Sequence, residues 1–125
     1  MNKGCPVNTI ILFDQSAPAG HSEGPAPNPV DGEPRANVWR CFARPDGTLA
    51  AGIWDCSKGS FAIPSHATDE VCSILEGEAV IEHADGTRVT VRPGDSFLIP
   101  YGTRTIWHVA NYVKKAFVCA VPARS

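Results

Sequence analysis

The sequence of 125 residues lacks a long hydrophobic stretch, a strong charge of either sign and any closely spaced pair of cysteines. A helix that spans a bilayer needs about 20 consecutive apolar residues, and no such run is present. A formal net charge of −2 gives no electrostatic basis for binding nucleic acid or an anionic membrane. The N-terminal stretch carries one lysine and a short apolar run, Ile10–Phe13, unlike a signal peptide. We therefore expect a cytoplasmic protein that contacts neither membrane nor nucleic acid.

The five cysteines are odd in number and widely spaced, and no two of them form a CxxC pair. They are Cys5, Cys41, Cys56, Cys72 and Cys119. This pattern favours reduced thiols that pack as small apolar side chains. We expect that role in particular for the three that lie in strand-like runs, Cys41, Cys72 and Cys119.

Sustained helical periodicity is also absent, and short apolar runs alternate with glycine, proline and aspartate, which predicts strands and turns. The predicted strands are Val38–Ala43, Leu49–Asp55, Phe61–Ile63, Val71–Leu75, Ala79–Ile81, Val89–Val91, Phe97–Ile99, Thr103–Ala110 and Lys114–Val121. Hairpin turns are expected at residues 45–48 and at Asp85-Gly86, where the turn needs positive φ. A further connection is expected at Asn111-Tyr112-Val113. Many short strands with regular turns indicate an all-β sandwich or barrel.

Residues 1–36 differ from the rest because they hold six of the eleven prolines. Proline removes a ladder donor, so no long helix or central strand is expected across residues 18–36. Only Thr9–Phe13 is strand-like, and an isolated apolar strand needs cover. We expect residues 1–36 to form an arm that packs on the barrel domain, residues 37–125, or on a second subunit. Strand addition between two copies predicts a homodimer.

The run from Gly59 to Gly102 resembles the two sequence motifs of the cupin family. Six residues separate Glu70 from Gly77, as in the first motif, and Gly94, Pro100 and Gly102 have the spacings of the second. The chain is most similar to small single-domain cupins seen in (S)-ureidoglycine aminohydrolase and in ethanolamine utilisation. The resemblance implies a double-stranded β-helix, the cupin jelly-roll barrel, with the proline-rich arm at its N-terminus.

Metal-binding cupins hold their ion with three histidines and one glutamate, and the resemblance places these positions on Pro64, His66, Glu70 and Thr105. Only His66 and Glu70 are metal ligands by residue type. If residues 64–74 are extended, their even-numbered side chains share one face, so Cys72 is a candidate third ligand. A divalent cofactor such as zinc, manganese, nickel or iron is one interpretation of this incomplete set. His108 is expected on the opposite face of its strand.

The same two residues have other interpretations. His66 and Glu70 are candidate catalytic residues, since a buried carboxylate beside an imidazole suits acid–base chemistry. They could instead hydrogen-bond each other as a buried polar pair, and Cys72 could be a nucleophile activated by His66. Trp54 is a weaker pocket candidate, and Lys114 and Lys115 are expected on a solvated face. The predicted substrate-binding residues are Cys72, Tyr101, Arg104, Thr105 and Trp107.

Two functions remain open from the sequence. One is a small-molecule-binding cupin with a degenerate metal site. The other is an enzyme on a small polar ureido, amino or carboxylate substrate that uses His66 and Glu70, with or without a metal.

Overall fold

The fold is built entirely from strands in the part of the chain that the computed structural model describes, residues 9–122. The nine strands are β1 (Gly20–Pro25), β2 (Pro29–Asp31), β3 (Arg35–Ala43), β4 (Leu49–Ile63), β5 (Asp69–Gly77), β6 (Ala79–His83), β7 (Arg88–Val91), β8 (Ser96–Ile99) and β9 (Thr105–Ala120). The all-β prediction is confirmed. None of the described residues forms a helix long and apolar enough to cross a membrane.

Strands β4 and β9 form the central ribbon of the sheet, and the other strands pair with this ribbon directly or through one neighbouring strand. The first half of β4 pairs with the second half of β9, in the order β1-β3-β4-β9-β5-β8. The second half of β4 pairs with the first half of β9, and there β2, β6 and β7 complete the sheet. All these pairs are antiparallel, so a single sheet folds into two layers that share β4 and β9.

Both predicted hairpins are present. Gly47 and Gly86 have φ values of 79° and 89°, which L side chains rarely adopt. The turn before β8 is held by Asp95, whose carboxylate accepts a hydrogen bond from the Arg92 backbone N–H at 2.8 Å.

Two predicted interruptions were wrong. Residues 56–60 continue the strand as part of β4, and Asn111-Tyr112-Val113 lies inside β9 rather than in a turn. The register jumps from Ser57↔Tyr112 to Gly59↔Val109, which marks a β-bulge. A bulge bends a strand and sharpens its twist without ending it, so both long strands pass from one layer to the other.

The N-terminal region is only partly as expected. Thr9–Phe13 forms no strand, and the side chains of Ile10 and Leu12 are 89% and 78% exposed. Proline did exclude a central strand, because β1 is the end strand of its layer and pairs only with β3. Residues 20–31 nevertheless join the sheet through β1 and β2.

The core lies between the two layers and is mostly aliphatic and aromatic. Its largest fully buried side chain is Trp107, which packs against Trp54, Phe61 and Phe97. Burying each such side chain contributes roughly 1.5–3 kcal/mol. Cys41, Cys56 and Cys72 are buried and Cys119 is half-buried, as expected for small apolar residues; Cys5 lies outside the described residues.

Candidate functional site

A cavity of about 290 Å³ opens into the barrel between the two layers. It has an aromatic and aliphatic wall and a small group of titratable side chains. The lining residues are Pro27, Val38, Arg40, Trp54, Phe61, Ile63, His66, Glu70, Trp107, Lys115, Phe117 and Cys119. His66 and Glu70 both line this cavity. This volume is near the lower end of the range of about 300–1,000 Å³ for small-molecule sites.

Glu70 lies at the start of β5, and its main partner is Lys115 of β9. The Lys115 ammonium donates to Glu70 Oε2 at 2.6 Å, and the two side chains are only 7% and 13% exposed. The Cys72 thiol donates to the same oxygen at 3.4 Å. Lys115 was expected in solvent, and that prediction was wrong. Since β9 continues without a turn, alternation carries the inward face from Trp107 through Val109 and Val113 to Lys115.

Two indole rings hold the ammonium in place. Lys115 Nζ lies 4.5 Å from the ring centroid of Trp54 and 4.6 Å from that of Trp107. Both distances are within the range of about 6 Å for cation–π attraction. The two rings also meet edge to face, with centroids 5.5 Å apart. The ammonium is therefore fixed by one carboxylate and two aromatic faces.

His66 comes from the bend between β4 and β5, and it is held by different partners from those expected. Residues 64–68 are not extended, yet the His66 backbone bonds to Thr103 and Gly102 and the ring is turned inward. Its Nε2 is hydrogen-bonded to the Thr105 hydroxyl at 2.9 Å. Its Nδ1 lies 3.8 Å from Glu70 Oε1, which is too long for a hydrogen bond. The alternative in which His66 and Glu70 hydrogen-bond each other is therefore wrong, and the two residues belong to separate pairs, His66 with Thr105 and Glu70 with Lys115.

The charge states of the cavity follow from these contacts. Burial acts to raise the pKa of Glu70, but the charge and hydrogen bond of Lys115 outweigh it and lower that pKa. Burial acts to lower the pKa of Lys115, and Glu70 reverses this, so the pKa is raised. Burial lowers the pKa of His66 against the opposing effect of Glu70. At neutral pH the buried titratable groups of the cavity are thus an ammonium, a carboxylate and a neutral imidazole.

Cys72 is unsuited to nucleophilic attack. Its side chain is fully buried and does not line the cavity, and burial raises the pKa of its thiol to about 12. The thiolate is the reactive form of cysteine. Cys72 therefore contributes packing and one weak hydrogen bond to Glu70.

The other predicted binding residues are distributed differently. Trp107 lines the cavity, as expected, and Trp54 lines it too. Thr105 is buried behind His66 and contacts the ring instead of the cavity. Tyr101 and Arg104 are exposed in the loop before β9 and do not line the cavity.

His108 lies on the opposite face of β9, as predicted. Its Nδ1 is hydrogen-bonded to Ser60 at 2.9 Å, and its Nε2 to Glu82 at 3.0 Å. It is thus outside the cavity.

Sequence reasoning missed Lys115 and Arg40. Arg40 lies on β3 and its side chain is exposed at the cavity. Val38 shares its face two residues earlier, a period-2 signal that indicates a common side of the strand.

A second cavity of about 180 Å³ lies between β6, β7 and β8. Its lining is mostly aliphatic, with Ile81, Val91 and Phe97 among its residues, and His83 is its one titratable side chain. Because no opposing charges converge there, the cavity that holds Glu70 and Lys115 is the better candidate site.

The residues present do not fit the metal site that the cupin resemblance implies. Glu70 Oε2 already accepts hydrogen bonds from an ammonium and a thiol, and His66 Nε2 is bonded to a hydroxyl. A divalent cation beside Glu70 would meet the positive charge of Lys115 at close range. No three histidine, cysteine or carboxylate side chains converge on a point anywhere in residues 9–122.

Comparison with known proteins gives one sequence family and several related folds. Residues 43–117 match the model of a family described as the EutQ-like cupin domain. No curated protein matches the chain.

Solved structures share the fold at low sequence identity. A putative ethanolamine utilization protein Q from Salmonella typhimurium is 24% identical, with a TM-score of 0.61 over 68% of each chain. The EutQ protein of Clostridium difficile is 20% identical, with a TM-score of 0.63 over 70% of this chain and 69% of that one. A protein of unknown function of the DUF861 family from Pseudomonas syringae is 24% identical, with a TM-score of 0.73. That match covers 86% of this chain and 46% of the longer protein.

Proposed function

Because this chain belongs to the EutQ-like cupin family, we propose that its barrel cavity is a binding site for a small polar molecule. The observation that carries this proposal is the convergence of His66, Glu70 and Lys115 on a cavity with aromatic walls. Burying the two charges of the Lys115–Glu70 pair has a desolvation cost that their attraction can fail to repay, and both side chains line the cavity.

The test is a screen that reports on the cavity itself. Trp54 and Trp107 line it, whereas Trp39 stacks on His21 outside it at a ring distance of 5.1 Å. The indole N–H signals of a ¹⁵N-labelled protein therefore give two reporters and one internal control. Small carboxylates, amines, amides and sugars are titrated in turn. Saturable shifts at the first two indoles, with Trp39 unmoved, support the proposal; no shift with any class refutes it.

A second candidate is an enzyme acting on a small ureido, amino or carboxylate substrate. The observation that favours it is a neutral His66 within 3.8 Å of an ionised Glu70 at the cavity wall. A neutral imidazole can accept a proton, and the carboxylate would stabilise the resulting imidazolium. Compounds that bind in the screen are followed by NMR for turnover. H66Q should abolish turnover and retain binding; if no bound compound is converted, this candidate is excluded.

We further propose that the protein forms a homodimer, though not through a strand at Thr9–Phe13. Cross-strand partners Val71 and Leu98 are 49% and 57% exposed on the outer face of β5 and β8. We choose this pair because contiguous exposed apolar surface, unlike isolated apolar residues, marks interaction sites. Light scattering after size-exclusion chromatography measures the mass of the protein in solution. A wild-type dimer that L98K converts to a monomer supports this interface. A wild-type monomer contradicts it.

A further inference from the structure

The charges at the cavity do not cancel, and their balance indicates the class of ligand. Lys115 and Glu70 form an ion pair, and His66 is neutral. The remaining charged residue of the lining is Arg40. Two positive side chains against one negative give the cavity a formal net charge of +1.

Arg40 is free to receive a ligand. Among residues 9–122, no carboxylate lies within ion-pair distance of its guanidinium, in contrast to Arg35, whose Nε is 2.6 Å from Glu23. The residues opposite Arg40 on the neighbouring strands are Gly20 and Gly52. Because neither neighbour has a side chain, none crowds the guanidinium from the side.

The glycine at position 52 is required by the backbone around it. A Cβ there would lie 2.1 Å from the Trp39 carbonyl oxygen and 3.1 Å from the Arg40 Cα. The close approach of the two strands therefore requires glycine at position 52, so no side chain can stand opposite Arg40 there.

The ammonium of Lys115 occupies the place beside Glu70 that a cationic ligand would otherwise take. With Glu70 neutralised by an internal ammonium, the carboxylate does not repel an incoming anion. The walls on either side of this pair are Trp54, Phe61 and Trp107, which suit a flat apolar body. We propose that the cavity binds a small carboxylate with a planar apolar body, whose anionic end contacts Arg40 while Lys115 cancels the charge of Glu70. This rests on the proposed binding function and adds the sign of the ligand.

The test compares three ligands that share a phenyl ring and differ in charge: benzoate, benzamide and benzylamine. Each is titrated into the ¹⁵N-labelled full chain, with affinity read at the Trp54 and Trp107 indoles. We expect benzoate to bind about tenfold more tightly than benzamide, since a charge-assisted hydrogen bond is lost in the amide. Benzylamine should bind most weakly. If benzamide or benzylamine binds as tightly as benzoate, the charge assignment is wrong even though the binding function stands. If none of the three moves the indoles, the assignment to a planar carboxylate is overturned, and only the wider screen decides the binding function.

Two variants sharpen the result. R40M, at an exposed position where folding should be unaffected, should weaken benzoate binding about tenfold and leave benzamide unchanged. R92M removes an exposed arginine that does not line the cavity, and it should change neither affinity. E70Q raises the net positive charge and should tighten benzoate binding; weaker benzoate binding in a folded E70Q protein would contradict the proposed charge balance.

Discussion

Replacing Lys115 by methionine should cost far more than the loss of one surface charge. Methionine retains most of the aliphatic stem but removes the ammonium, so Glu70 is left as a buried carboxylate without its main partner. Removing one member of a buried ion pair costs roughly 3–5 kcal/mol. At a urea m-value of about 2 kcal/mol/M, the unfolding midpoint should fall by about 2 M.

The control for this experiment is an ion pair of the same length on the surface. Arg35 Nε and Glu23 Oε2 are also 2.6 Å apart, but their side chains are 54% and 42% exposed. Exposed pairs contribute little because water screens them and both side chains lose entropy. R35M should therefore leave the midpoint almost unchanged. A K115M midpoint within error of R35M would refute the claim that burial makes the Lys115–Glu70 pair important.

The double variant E70L/K115M, together with the single variants E70L and K115M, completes a double-mutant cycle. Replacing both members of a buried pair with apolar residues is often neutral or stabilising. The double variant should thus be much more stable than K115M alone. If it is destabilised by the sum of the two single effects, the two groups act independently and the proposed pairing is wrong.

The pH dependence of K115M gives a second measure of the same pair. The contact with Lys115 lowers the pKa of Glu70 below its ordinary value of 4.5, so the wild-type stability from this pair is lost as pH falls below that value. Without Lys115, burial is the largest remaining influence on the pKa of Glu70, and it favours the protonated carboxyl. The stability difference between wild type and K115M should therefore shrink in acid, and a constant difference from pH 7 to pH 3 would argue against this account.

Three other predictions concern individual residues. Burial lowers the pKa of His66 below 6.5, so the free energy of unfolding should decline as pH falls below 6.5. H66Q should flatten this dependence of unfolding free energy on pH in urea titrations. An equal dependence in H66Q would implicate another group. Thiol labelling of the native protein at pH 8, mapped by mass spectrometry, should modify Cys119 before Cys72, whose pKa is about 12; early labelling of Cys72 would contradict its burial. G77A should be far more destabilising than G86A. Both glycines have positive φ, but a Cβ at Gly77 would lie 1.9 Å from a backbone carbonyl oxygen, whereas a Cβ at Gly86 would have no atom within 4 Å. Equal midpoints would refute this.

Local chemistry predicted the strands and turns because their signals are short-range, whereas the cupin barrel was implied by the resemblance to that family's motifs. The Asp85-Gly86 hairpin follows from the need for positive φ, and the inward face of Thr105 and Trp107 follows from strand alternation. Thr9–Phe13 has the composition of a strand, but the described residues supply no partner for it. Propensity for strand needs a neighbouring edge to become structure.

The site was harder to predict because its main contact is not a neighbouring pair in the sheet. The polar-looking run at 111–115 favours a turn followed by a solvated strand start, and this wrong prediction places Lys115 outside the barrel. A bulge keeps β9 continuous, so the alternation that begins at Thr105 extends to Lys115.

Even the correct strand would not have identified the partner of Lys115. The residue opposite Lys115 on β5 is Ile74, and the residue opposite Glu70 on β9 is Cys119, four positions further along. Four residues of strand span roughly 13 Å, so the lysine side chain must run along the inner surface of the sheet, over the two indoles, to reach Glu70. Rules for directly opposed cross-strand pairs do not cover that geometry. Only a long cationic side chain can bridge such a separation. A double-mutant cycle of K115M and E70L that shows strong coupling across four strand positions would establish that Lys115, and not a set of metal ligands, is the partner of Glu70.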